Sequence, residues 1–233
     1  MSSPQFPVAE VHEAIAATRP DEVCLVHRDR RLTWAQVTER TRRLANHLIG
    51  QGLGCHTERD QLLGHESGQD HLAIYLHNGP EYIESMLGAF KARLAPFNVN
   101  YRYVAEELQY LLDNAQSKVV VFHSCFAPVL AEVLPDLPCI ELLVQVADDS
   151  GNELLPGAIA YEDLLAEASN ARPAVDWSPD DLYILYTGGT TGMPKGVVWR
   201  HEDVFMALGG GIDPYTSEKV ARPEEMVEKG IAT

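Results

Sequence analysis

Apolar positions along the chain fall into short clusters with two alternating spacings. Residues 8–17 and 34–49 place apolar side chains three and four apart, the period of an amphipathic helix. Residues 23–27, 73–76 and 95–99 are instead short apolar runs of strand length. In the second helix Trp34, Val37, Thr41, Leu44, Ala45, Leu48 and Ile49 share one face. Thr33 is placed to cap it, Gln36 stands three residues on to close a capping box, and Gly52 and Gly54 end it. Residues 55–70 show neither period and read as a surface excursion. A helix over 81–94 follows Gly79-Pro80, and another carries Val104, Leu108, Leu111, Leu112 and Ala115 on one face. The consecutive valines of 118–122 predict a buried strand of the kind parallel sheets use. Helix 126–134 and strand 139–146 repeat the pattern, and 148–157 is a polar turn region. Such alternation predicts an α/β fold, a largely parallel sheet flanked by helices. The polar stretch 168–181, with two prolines, is the best internal boundary. It separates a leading α/β part, 1–170, from a segment at 180–211.

Composition adds exclusions. A 233-residue chain with 45% hydrophobic and 22% charged residues is ordinary for a globular protein. Its 34 acidic against 18 basic residues give a formal charge of −16, which repels phosphate backbones and anionic membrane surfaces. The one basic cluster, Arg28, Arg30 and Arg31, is broken by Asp29 and reads as a charged turn between strands, so no nucleic-acid partner is expected. No run approaches the ~18 apolar residues of a membrane span. The N-terminus lacks the basic segment and apolar stretch of a signal peptide. Cys24, Cys55, Cys125 and Cys139 form no C-x-x-C pair, which suits a reducing cytoplasm. The histidines show no ligand spacing, so no metal site is expected in the protein itself.

The chemistry concentrates near the end of the chain. An apolar β-prone run, 182–186, feeds into Thr187-Gly188-Gly189-Thr190-Thr191-Gly192-Met193-Pro194-Lys195-Gly196, and a second run, 197–199, follows. This predicts a strand, a loop over 187–196 and another strand. Glycines bring backbone N–H groups close to anionic oxygens, threonines add rotatable donors, and Lys195 supplies positive charge. Polyphosphate is the ligand such a set suits, although a plain hairpin connection has the same outline. A Walker A loop is excluded, because two residues separate Gly192 from Lys195 and no Ser or Thr follows the lysine. Arg102 is placed either to contact an anion or to pair with Glu106 or Glu107 one turn on. His201, followed by Glu202 and Asp203, reads as an acidic helix start rather than a catalytic group.

Residues 186–196 resemble the phosphate-loop signature of the adenylate-forming superfamily, typically Y-T-S-G-T-T-G-x-P-K-G. Gly188 stands where serine is commonest, which removes one hydroxyl donor. Leu32-Thr33-Trp34, the stretch 95–103 with Glu106-Glu107-Leu108, and 198–203 are similar to acyl-CoA synthetases, especially those for fatty acids and steroid side chains. The resemblance covers most of residues 20–210. It implies activation of a carboxylic acid by ATP, with Mg²⁺, through an acyl-adenylate to an acyl-CoA, with CoA as co-substrate. It further implies that Thr187, Gly188, Gly189, Thr190, Thr191, Gly192 and Lys195 hold the nucleotide's phosphates.

Members of that superfamily are much longer. Beyond the loop they carry an adenine-binding aromatic-Gly-x-Thr-Glu motif, a ribose-binding aspartate, a hinge and a small C-terminal domain with a catalytic lysine. None is recognisable in 197–233. The expectation is therefore a partial N-terminal AMP-binding domain over 1–233, without a catalytic residue of its own. Little ligase turnover is expected from it alone, and a sheet edge or apolar face should be left exposed. The alternatives are a non-catalytic acyl- or nucleotide-binding protein, or one half of an enzyme completed by a partner chain.

Overall fold

Helix α1 (Val8–Thr18) leads into an antiparallel hairpin of β1 (Val23–His27) and β2 (Arg30–Thr33), which turns on Arg28 in the left-handed region, φ 53°. The structure, a computed structural model, describes residues 5–189, 192–213, 216–223, 225, 226 and 228. Helix α2 (Trp34–Gly50) opens on the expected capping box. The Thr33 hydroxyl accepts from the Gln36 N–H at 3.3 Å, and the Gln36 side chain accepts from the Thr33 N–H at 2.9 Å. The helix closes on a Schellman turn, with Leu53 N–H donating to the Leu48 carbonyl and Gly52, φ 81°, to that of Ile49.

Then follow β3 (His71–Tyr75), α3 (Pro80–Lys91), β4 (Ala95–Asn98), α4 (Ala105–Asn114), β5 (Ser117–His123), α5 (Ala127–Val133), β6 (Leu142–Val146), β7 (Ala158–Ala160), α6 (Tyr161–Glu167), β8 (Leu182–Gly189), β9 (Gly192–Arg200) and α7 (His201–Leu208). Strands β3 to β9 form a seven-stranded sheet in the order β7-β6-β5-β3-β4-β8-β9. Neighbours run parallel except β8 and β9, an antiparallel pair at one edge.

Side-chain alternation sorts the core into two layers. Leu72 and Ile74 of β3 and Val119 and Val121 of β5 meet Leu44 and Leu48 of α2 and Leu164 of α6. Ala73, Tyr75, Val120 and Phe122 face the other way, onto Leu108, Leu111 and Leu112 of α4 and Leu130 of α5. Burying each such leucine contributes roughly 1.5–3 kcal/mol, so the helices are fixed by the strands beneath them. Helices α2 and α3 approach so closely that a Cβ on Gly88 would lie 2.6 Å from Leu44 Cδ2.

The structure departs from the expected elements where local pattern is weak. The helix expected to reach residue 94 stops at Lys91, because Arg93 takes φ 58°. Its guanidinium then bridges buried Asp181, at 2.9 Å, and Glu58, at 2.8 Å. Val104 does not line the apolar face of α4 but precedes the helix, 62% exposed, with its N–H donating to the Glu107 carboxylate at 3.2 Å. Strand β7 and helix α6 are too short for periodicity to register. The 168–181 segment packs across the helices: the Trp177 indole N–H donates to the Lys91 carbonyl at 2.9 Å, and Arg172 lies over the Trp177 ring. It delivers β8 beside β4 in the same sheet.

Buried charge anchors the N-terminal helix. Lys91 Nζ, fully buried at the end of α3, sits 2.5 Å from Glu13 Oε1 and donates to the Thr41 hydroxyl at 2.9 Å. Arg42 Nε donates to the same Glu13 oxygen at 3.0 Å.

Candidate functional site

Open parallel sheets bind ligands beyond the C-terminal ends of strands whose following helices lie on opposite faces. Strand β3 marks such a point here. The chain passes through α3 on one face to reach β4, then through α4 on the other face to reach β5. Beyond the ends of β3 and β4 lies an open cleft of about 570 Å³. Asn78, Asn98, Tyr82 and Tyr101 contribute to its walls, and Tyr186, Gly188 and Pro194 of the β8–β9 hairpin close one side. Asn98 Oδ1 is buried there without a hydrogen-bond partner among the described residues.

The expected ten-residue loop is largely strand. Pairing continues to Gly189 and resumes at Gly192, with Thr187 directly opposite Lys195 and Tyr186 opposite Gly196. Directly opposed side chains share a face, so Thr187 and Lys195 are neighbours, and both are exposed. Proline is tolerated at 194 because β9 is an edge strand. The register shifts between Thr187 and Gly189, around Gly188, where a Cβ would meet nothing within 4 Å. Gly196 has the opposite surroundings: a Cβ there would come 3.1 Å from Tyr186 and Ile184. The Tyr186 ring lies over that glycine and 5.6 Å from Phe97. Burial pushes the Tyr186 phenol up to about 12, so it stays protonated and donates to Asn114 Oδ1 at 2.8 Å. Of the residues named from sequence, Thr187, Gly188, Gly189, Gly192 and Lys195 lie together on the hairpin; Thr190 and Thr191 fall outside the described residues. Sequence reasoning missed Asn98, Tyr82 and Tyr101, which become neighbours only through the order of the strands.

Other candidates resolve as structural groups. Arg102 stacks over Tyr101, 5.2 Å from its centroid, in place of the expected pairing with Glu106 or Glu107. His201 starts α7, as expected, and is fully buried edge-on against Phe90, 4.3 Å between centroids. Burial lowers it to about 3, so it stays neutral. Cys125 lies 3.9 Å from His77 Nε2, but burial and the Asp148 carboxylate raise its thiol to about 11. Among the described residues no group of three or more His, Cys, Asp or Glu could hold a metal ion, and no helix is long and apolar enough to cross a membrane.

Residues 12–222 match the AMP-binding enzyme family. The chain belongs to that family. A medium-chain acyl-CoA ligase, Mig, of Mycobacterium avium is 54% identical over 227 residues, 97% of this chain and 41% of the ligase. A 3-oxocholest-4-en-26-oate–CoA ligase of Rhodococcus rhodochrous is 41% identical over 224 residues, 96% of this chain and 38% of that one. The anthranilate CoA ligase AuaEII, solved with anthranoyl-AMP, shares the fold at TM-score 0.76 and 20% identity, covering 91% of this chain and 38% of its own. The chain thus spans about two fifths of the length of the curated relatives it matches, and its mostly parallel, helix-flanked sheet is the fold it shares with that ligase.

Proposed function

We propose that the chain acts in ATP-dependent activation of a carboxylic acid to an acyl-CoA, as the leading part of an AMP-binding domain. The observation that carries this reading is the exposed Thr187–Lys195 pair, borne on the hairpin whose Gly188 and Pro194 line the cleft. A carboxylate has no useful leaving group for a thiol. Its attack on the α-phosphorus of ATP breaks the bond to the bridging oxygen and releases pyrophosphate. The CoA thiol then displaces AMP from the acyl carbon. Catalysis of the first step is chiefly positioning and charge neutralisation. Lys195 offsets charge building on the departing pyrophosphate, while Thr187, Gly188, Gly189, Thr190, Thr191 and Gly192 supply hydroxyl and backbone donors. Mg²⁺ enters with ATP. The acid is apolar, a fatty or steroid-side-chain carboxylate, in keeping with the names of the relatives. The setting is the cytoplasm.

In a second reading the chain holds nucleotide, and turnover takes a partnered form that includes the further length the relatives carry. The first experiment follows pyrophosphate release with MgATP, CoA and a panel of fatty and steroid acids, alongside calorimetric titration of MgATP. A charge-assisted hydrogen bond is worth about 1.5–3 kcal/mol, so Lys195→Ala should weaken nucleotide binding tenfold or more. Equal binding by wild type and Lys195→Ala sinks the phosphate reading. Release regained only on adding the C-terminal part of a related ligase supports the partnered form.

A further inference from the structure

Helix α4 has two stripes. The apolar one, Leu108, Leu111 and Leu112, is fully buried against the sheet and fixes the helix. The other starts at Tyr103, just ahead of the helix and packed against the rim of the core, and Glu107, Tyr110 and Asn114 follow at spacings of four, three and four and so share one side. Tyr103 and Glu107 line the cleft. The next two reach the hairpin. The Tyr110 hydroxyl donates to the Pro194 carbonyl at 3.3 Å, and Asn114 Oδ1 accepts from the Tyr186 hydroxyl at 2.8 Å.

Each bond takes one strand of the hairpin, Pro194 in β9 and Tyr186 in β8. Pro194 falls between the Thr187–Lys195 and Gly189–Gly192 pairs, where the register shifts and the ladder is irregular. It is also the residue next to Lys195, as Tyr186 is next to Thr187. Beyond the Thr187–Lys195 pair, where the regular ladder ends, the ribbon has little of its own to fix its course. A helix anchored by three buried leucines does.

We propose that Tyr110 and Asn114 are positioning residues for the phosphate hairpin, α4 setting where the backbone that carries Thr187 and Lys195 lies beside the cleft. The proposal rests on the reading of the hairpin as a polyphosphate site. Loss of one neutral hydrogen bond corresponds to roughly a three- to tenfold change in an equilibrium constant.

The test titrates inorganic tripolyphosphate and MgATP into the full chain and its Tyr110→Phe, Asn114→Ala, Asn114→Asp and Lys195→Ala variants. Tyr110→Phe and Asn114→Ala should bind several-fold more weakly at an unchanged melting temperature, while Asn114→Asp, which keeps the acceptor, should stay near wild type. A merely structural role would lower the melting temperature and leave the affinity of the folded protein untouched. Wild-type affinity in the Tyr110→Phe/Asn114→Ala double variant would overturn the proposal. Amide hydrogen exchange over 186–189 and 192–197 separates this outcome from failure of the phosphate reading. If wild type shows no Lys195-dependent binding, faster exchange in the double variant still upholds the brace, and unchanged exchange refutes it.

Discussion

Replacing Glu13 by glutamine tests the buried charge network most directly. Burial by itself would raise the Glu13 carboxyl, but hydrogen bonds from Arg42 and the charge of Lys91 outweigh it and hold the group at about 2, against 4.5 ordinarily. At about 1.4 kcal/mol per pH unit, that difference corresponds to roughly 3 kcal/mol of stability. The sign follows from the depressed value. The contribution is fully present above pH 4.5 and is lost as pH falls towards 2. Lys91 works against it, since burial lowers the ammonium to about 8 despite its partner. The pair as a whole is therefore worth less than the Glu13 shift alone, while breaking it strands a buried cation. Glu13→Gln should cost about 3 kcal/mol at pH 7. With a urea slope of ~2–3 kcal/mol/M, the midpoint followed by tryptophan fluorescence should fall by about 1 M. The defect should shrink above pH 8, where Lys91 sheds its proton in the folded state and the unfolded chain still binds one. Adding Lys91→Met should recover much of the loss, because an apolar replacement removes the stranded charge. A Glu13→Gln midpoint within about 0.3 M of wild type, with an unchanged acid limb between pH 4.5 and 2, would refute the reasoning.

Gly188→Ser should fold normally, since its Cβ enters open space, and should tighten MgATP binding by adding a hydroxyl at the cleft; a lower melting temperature or weaker calorimetric binding speaks against this. Met193, Val197 and Val198 on the edge strand and Leu208 beyond it are all more than a third exposed, Leu208 at 78%. The chain should therefore bind an apolar-surface dye and self-associate on light scattering, and Val198→Lys should reduce both. A monodisperse parent without dye-detectable surface counts against that expectation.

Much of the chain was legible locally because local rules act locally. The capping box at Thr33 and Gln36 needs only residues within one turn, and the run at 118–122 declares a strand buried on both faces whatever its neighbours. The resemblance over 186–196 pointed to the adenylate-forming superfamily, and the match to the AMP-binding enzyme family bears out that membership. Where residues depend on partners far along the chain, the pattern was silent. Glu13 and Lys91 look like ordinary surface charges on amphipathic helices, and only the stacking of α1, α2 and α3 buries them together. Tyr110 and Pro194 are 84 residues apart, and Tyr186 and Asn114 are 72 apart.

By itself, then, the sequence determined the α/β class, most element positions, the acidic balance of charge and the place of the Gly/Thr/Lys segment between two strands. The tertiary structure alone decided that β8 returns beside β4, that the segment forms a paired ribbon with Thr187 against Lys195, and that Tyr110 and Asn114 of α4 hydrogen-bond to it. The reason is physical: periodicity reports which face of an element avoids water, whereas the order of strands in a sheet decides which faces meet.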